Sequence, residues 1–323
     1  MTTINETGAT IDHQIGPRGR FTLRQTSGEV TIRGVEGDRV RVRADDEKAF
    51  RERFSIEAGT GALNIHQSDK LGFGIFGRGD SVELEVEVPH GATVSIETQS
   101  GDITASDLSG AKSFRTASGE VILRRLAGAV EVETVSGDLE IEGQAPIELK
   151  GRTVSGDVDV QVPVLRGLDL GTTSGDMGID GDLRGEGPFA LRTISGDVHF
   201  VVRSGIRVQA ETITGDLSSD LDSKRESSLG RKVMVVGKPG ATLSFRSVSG
   251  DFRAAKPRTA APALEETAMT NDTTDRGAES VADTTQAADA DARRMEILRQ
   301  LERGEISVAE AGDKLGELDE AVR

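Results

Sequence analysis

A five-residue phrase, Thr-x-Ser-Gly-Asp, recurs along this chain at nearly constant spacing. It reads TQSGD (98–102), TASGE (116–120), TVSGD (134–138), TVSGD (153–157), TTSGD (172–176), TISGD (193–197), TITGD (212–216) and SVSGD (247–251), with an early relative, QTSGE, at 25–29. The glycines Gly101, Gly119, Gly137, Gly156, Gly175, Gly196 and Gly215 are 18, 18, 19, 19, 21 and 19 residues apart. The step to Gly250 is 35, close to two periods, and predicts one worn copy between them. The step from Gly28 to Gly101 is 73, close to four periods. A period near 19 residues implies stacked units, each burying its apolar face on its neighbours.

Apolar residues alternate on both sides of the phrase: Val130 and Val132 before it, Leu139 and Ile141 after it, and Leu168, Leu170, Val198 and Phe200 likewise. Period-two alternation with β-branched residues predicts strands. The phrase's Thr is in phase with them and is expected to point inward. Ser-Gly-Asp is turn chemistry, because Gly allows positive φ and Ser and Asp bond nearby backbone N–H groups. A second bend near Gly110, Gly128, Gly143, Gly167 and Gly185 closes each period.

An antiparallel meander and a parallel solenoid both fit two strands and two bends per period. The residue before the Thr favours the solenoid. It is Glu97, Arg115, Glu133, Arg152, Gly171, Arg192 and Glu211 in order, alternating in sign except at the glycine. Stacked coils set these side chains about 4.8 Å apart, where opposite charges attract and like charges repel. In a meander they lie two strands apart, and a long meander leaves edges to protect. The expectation is an all-β fold: a single-stranded parallel β-solenoid (β-helix or β-roll) of 18–19-residue coils over 10–253, after a tail at 1–9. That length holds roughly 13 coils and a rod of about 60 Å. The stretch 38–90 reads as worn, with a short helix around DDEKAFRERF (45–54).

The acidic residues of the phrase stack too: Asp102, Glu120, Asp138, Asp157, Asp176, Asp197, Asp216 and Asp251, each beside its glycine. Like charges near 5 Å cost about 1 kcal/mol even in water, so something offsets them. Calcium wants six to eight oxygens, and its known β-roll repeat is a nonapeptide that this phrase does not match. The expected role is structural, each carboxylate capping its own turn's N–H groups, with no metal and no cofactor.

Composition removes further classes. The chain has no Cys, Trp or Tyr, so disulfides and thiolate metal sites are excluded. A net charge of −16 argues against nucleic acid. His13, His66, His90 and His199 are scattered, without ligand spacing. GFGIFG (72–77) matches G-x-G-x-x-G, but a strand, SVELEVEV (81–88), follows instead of a helix. LGFGIF (71–76) reads as an apolar loop, and Arg78-Gly79-Asp80 as a chance match to the integrin tripeptide. Catalytic residues are unique, whereas the acids here are copied in every coil, so no enzyme is expected. The N-terminus shows no basic-then-apolar leader and no apolar run of about 18 residues occurs, so a cytoplasmic location is expected and membrane association is not evident.

Between Thr and Ser the phrase often carries an apolar residue: Val135, Val154, Ile194, Ile213 and Val248. With Thr inward, this row points outward and is a candidate docking stripe. The composition then turns to Ala, Thr, Asp and Glu, which predicts a disordered linker at 254–291. Residues 292–323 read as a two-helix hairpin. Leu298 and Leu301 lie on the first apolar face, Gly304 ends that helix, Ser307 and Glu310 form a capping box, and Val308 and Leu315 lie on the second face. About thirty residues bury too little to stand alone, so the hairpin is expected to self-associate or bind a protein partner.

The repeats, preceded by VELEVEVPHGATVSIETQSGDI (82–103), resemble the bacterial DUF4097 family, often labelled putative adhesin. LRQLERGEISVAEAGDKL (298–315) resembles the SHOCT-like helical module found with such domains in cell-envelope stress proteins of the LiaX/YvlB kind, where it is commonly N-terminal. The resemblance implies a β-solenoid without established catalysis and a role in envelope stress. The function expected is a non-catalytic scaffold for protein interaction. Two alternatives stand beside it: an exported adhesin or surface-glycan binder, and a β-helix carbohydrate-active enzyme.

Overall fold

A computed structural model describes residues 10–68, 81–228 and 231–257. The alternating segments form strands, and the strands stack in parallel as two long faces. One face runs, in spatial order, through Ala62–Gln67, Arg20–Ser27, Thr93–Ser100 and Lys112–Ser118, then the later halves of Val121–Ser136, Leu139–Arg152 and Val158–Gly171, then Phe189–Arg192, Ala241–Ser247 and Ile206–Thr212. The other runs through Leu84–Pro89, Val30–Val35 and Ile103–Ser106, the earlier halves of the three long strands, then Met177–Leu183, Val198–Val201, Phe252–Ala255 and Leu217–Ser219. Each long strand crosses between the faces at its second bend, where the register slips.

The copies of the phrase lie directly over one another. Thr98 is in register with Thr116 and Thr116 with Thr134. Serine bridges continue the stack from Ser136 through Ser155, Ser174 and Ser195 to Ser249. The core lies between the faces. A rung such as 130–141 buries Val130, Val132, Leu139 and Ile141. At about 1.5–3 kcal/mol per side chain, that burial exists only with a rung above and below, so no rung is stable alone. The phrase's threonines share the inward phase as expected, and Thr98, Thr116, Thr134, Thr153, Thr172 and Thr193 are buried.

Two stretches depart from the expected order. Between Gly28 and Gly101 there are not three worn coils. The rung of 20–35 pairs directly with that of 93–106, and on its other side it pairs with Ala62–Gln67 and Leu84–Pro89, which make a single further rung. Other described residues of the stretch form antiparallel strands, Arg39–Ala44 on Leu84–Pro89 and Phe54–Gly59 on Ala62–Gln67, and Thr10–Gln14, from before the first repeat, pairs antiparallel with Arg39–Ala44. The expected short helix is Glu47–Arg53, capped by Asp46, whose carboxylate accepts the Ala49 N–H at 2.9 Å.

Nor does a worn coil lie between Gly215 and Gly250. Ser223–Ser228 pairs antiparallel with Arg231–Val236, which pairs antiparallel with Ile206–Thr212. The last rung, 241–255, then inserts between 189–201 and 206–219, paired in parallel on both sides. Inward residues pack the inserted rung: Phe252 stacks on Phe200 of the adjacent rung at 6.3 Å, and Phe245 of its own rung lies 5.5 Å away. Among the described residues the parallel stack thus holds ten rungs rather than thirteen. The antiparallel strands among the described residues lie at the two ends of that stack.

Candidate functional site: the Thr-x-Ser-Gly-Asp ridge

Stacked turns make a ridge along one side of the solenoid, and each letter of the phrase has its own task. The glycines sit on one another's backbones. Gly156 has φ +133°, and a Cβ there would overlap the carbonyl oxygen of Gly137 in the adjacent rung. The same overlap recurs along the series to Gly196, then on to Gly250 and Gly215, in spatial rather than chain order.

Each aspartate of the phrase except the terminal Asp216 is an inter-rung cap. Asp138 Oδ1 accepts the N–H of Asp157, Asp157 that of Asp176 and Asp176 that of Asp197, each at 2.8 Å. Asp197 takes the Asp251 N–H at 2.8 Å, and Asp251 takes that of Asp216 at 2.7 Å. Asp102 caps Glu120 at 2.9 Å. This corrects the expectation that each carboxylate caps its own turn. The donor comes from the next rung, so the charge-assisted bonds offset the repulsion of the stacked acids. At the end of the ladder Lys232 bonds Asp216 at 2.8 Å and holds its carboxyl below the usual carboxylate range.

Asp157→Ala is therefore expected to cost about 1–2 kcal/mol, while Asp157→Asn, which keeps the acceptor, costs far less. Urea denaturation measures both; equal losses would refute the capping role. Calcium chloride is expected to leave the melting temperature unchanged. Among the described residues no group of three His, Cys, Asp or Glu is arranged to hold a metal ion.

The residue between Thr and Ser faces solvent. Val135, Val154, Ile194, Ile213 and Val248 are 54, 49, 52, 79 and 45 % exposed, and among the described residues they are the exposed large hydrophobics. Insertion of the last rung places Val248 between Ile194 and Ile213, joining residues that the sequence separates.

Beside this stripe runs the charged column. Arg24 meets Glu97 at 3.0 Å, Arg115 meets Glu133 at 2.9 Å, and Glu211 takes both Arg246 at 3.1 Å and Arg231 at 2.9 Å. Those two guanidiniums hold the Glu211 carboxyl below its ordinary range. The insertion also sets Arg192 against Arg246, breaking the alternation. Arg192 turns to Asp169 instead. Leu298, Leu301, Val308 and Leu315, the SHOCT-like tail and the LGFGIF and Arg-Gly-Asp motifs lie outside the described residues.

Two features were missed by pattern reading. Lys112 is 3 % exposed, in the inward phase of KSFRT, between Val94 and Val130. Its Nζ donates to the Ala127 carbonyl, and burial lowers its pKa to about 8. Its position in phase with Phe114 was the available signal. At the second bend, Asp107 and Arg125 both adopt positive φ, 61° and 52°, joined by a two-pronged ion pair at 2.6 and 2.7 Å. No glycine marks them, so no sequence signal was available. The histidines stay apart: His13 Nε2 lies 2.9 Å from the Gly59 carbonyl oxygen, and His90 Nδ1 lies 2.6 Å from that of Asp107.

Parallel rungs, an in-register phrase and a solvent-facing ridge define a β-solenoid repeat protein. The Toastrack DUF4097 family model matches residues 20–254, and the chain belongs to that family. Solved structures that it resembles include a putative adhesin from Bacteroides fragilis NCTC 9343, at 11 % identity and TM-score 0.42, covering 77 % of this chain and 98 % of that one. Another is a putative lipid binding protein from Parabacteroides distasonis ATCC 8503, at 12 % identity and TM-score 0.36, with coverage of 77 % and 98 %. A third is a putative cell adhesion protein from Clostridium sporogenes ATCC 15579, at 10 % identity and TM-score 0.26, with coverage of 77 % and 99 %. No curated protein matches the chain. Among the described residues no helix is long and apolar enough to cross a membrane.

Proposed function

We propose that this protein is a non-catalytic interaction scaffold: the apolar stripe of the ridge docks protein partners, and residues 292–323 multimerise the chain or recruit others. One observation carries the reading. Among the described residues the exposed large hydrophobics occupy a single position of the repeat, in two runs along one ridge, Val135 with Val154 and Ile194 with Val248 and Ile213, Thr173 lying between the two runs. Exposed apolar patches mark contact surfaces. The repeated acids support a structural rather than catalytic use, since their oxygens hold backbone N–H groups of adjacent rungs. The envelope-stress context follows from the family resemblance, and the cytoplasmic location belongs to the same proposal, with cell fractionation as its check.

The test is quantitative cross-linking and pull-down from native cells with three forms: wild type, Val154→Ser/Ile194→Ser/Val248→Ser, and a chain lacking 292–323. The triple substitution is expected to remove at least one partner while keeping the fold. Loss of the tail is expected to reduce oligomer size or shorten the partner list. Identical partners and sizes in all three would defeat the proposal.

A further inference from the structure

The charged column has one gap. Arg152 is in register with Gly171, and Gly171 with Arg192. Where the alternation calls for an acid, the chain has no side chain at all. A recess of about 620 Å³ lies here, lined by Glu133, Arg152, Val154, Asp169, Thr173 and Arg192 among others; a recess of about 600 Å³ also lies beside Arg24, Glu97, Arg115 and Glu133, so what sets this one apart is its charge pattern and not its size. Its two arginines lie two rungs apart, about 10 Å along the stack.

Their states differ. Arg192 is held by Asp169. Glu133, the register neighbour of Arg152, is bonded to Arg115 at 2.9 Å. Among the described residues Arg152 has no ion pair, although it is exposed in a column whose other arginines have partners. The gap is not forced by crowding. A Cβ at Gly171 would meet only ordinary contacts, 3.8 Å to the Arg192 carbonyl oxygen and 4.0 Å to its Cβ, and φ there is not left-handed. A glutamate would fit, yet the position is open.

Building on the interaction reading above, we propose that this notch receives an acidic side chain of a separate polypeptide partner, whose carboxylate takes the missing place between Arg152 and Arg192 while a flanking apolar residue rests on Val154. Guanidinium groups suit this task because they present paired donors to a carboxylate. Such a charge adds mainly register and specificity, whereas the apolar stripe supplies contact area. The notch thereby fixes which rung a partner engages on an otherwise repetitive ridge.

The probes are the peptides Ac-Val-Glu-Val-NH2 and Ac-Val-Gln-Val-NH2, with inorganic phosphate as a third arm. The readout is the arginine Nε–H NMR resonances of the full chain. The Glu peptide is expected to shift Arg152 and Arg192 and to bind about tenfold more tightly than the Gln peptide, a difference of one charge-assisted contact. Gly171→Glu, which supplies the acid in cis, is expected to abolish those shifts and raise the melting temperature by about 2–4 °C.

Unmoved resonances would overturn the proposal, as would a lower melting temperature with peptide binding retained. Phosphate binding as tight as that of the Glu peptide would overturn the carboxylate assignment. A wild-type dimer in sedimentation that Gly171→Glu dissociates would make the occupant a second copy instead. Partner loss in the stripe variant alongside silent arginines would sink this inference alone and leave the scaffold reading standing.

Discussion

Gly156→Ala is expected to destabilise the solenoid by about 3–5 kcal/mol. Two costs add. A non-glycine residue at φ +133° is strained by about 1–3 kcal/mol. The new Cβ also overlaps the Gly137 carbonyl, so the adjacent rung must move as well. Because the substitution falls mid-stack, it weakens the interfaces on both sides, and a one-step urea transition is expected to split in two. Gly167→Ala is the control. Its φ is not left-handed and its nearest contacts are ordinary, 3.8 Å to the Glu148 side chain. Its effect is expected to stay within about 1 kcal/mol of wild type. Equal midpoints for the two variants would show that the glycines serve flexibility rather than close stacking.

Lys112→Met is expected to stabilise the protein at pH 7 by about 1–2 kcal/mol. Burial lowers the lysine from 10.5 in a free chain to about 8 in the fold, so the folded state binds fewer protons than the unfolded one. The penalty for the buried charge is therefore fully present below about pH 8 and is relieved as pH rises from about 8 to about 10.5. That penalty amounts to about 3 kcal/mol. Losing the Ala127 hydrogen bond returns about 1 kcal/mol of that, which leaves the net gain.

Wild-type stability should climb across pH 8–10.5, and the methionine variant should lack that rise. The chain has no Cys or Tyr, whose titrations would otherwise fall in the same window. Chemical denaturation at four or five pH values decides the matter. A parallel pair of curves would remove the buried charge from the account.

The phrase itself was legible because every copy must satisfy the same local demands. Thr98 and its equivalents had to be inward once Val94 and Ile96 were, since strand side chains alternate. Val135 and Val154 had to be outward by the same period. The charge alternation through Glu97, Arg115 and Glu133 identified parallel stacking, and the registers agree. Lys112 was hidden by its residue type. A lysine reads as solvated unless its phase is trusted over its charge, and its phase with Phe114 and Thr116 was clear. The aspartates were placed correctly at the turn, but their hydrogen-bond partners were not. The distance from Asp157 to the N–H of Asp176 depends on how two rungs lie over each other, and a single repeat does not contain that information.

What the amino-acid order determined is each rung: which residues pair across it, which face inward and where it bends. These are short-range consequences of alternation, of glycine and of turn chemistry. Which rung lies next to which was decided by the tertiary structure alone. Residues 20–35 meet 93–106, and 241–255 enter between 189–201 and 206–219, because any two copies of the repeat present nearly equivalent edges. Local sequence cannot rank such edges. The packing of Phe252 against Phe200 of the adjacent rung does, and with it Val248 comes to lie between Ile194 and Ile213.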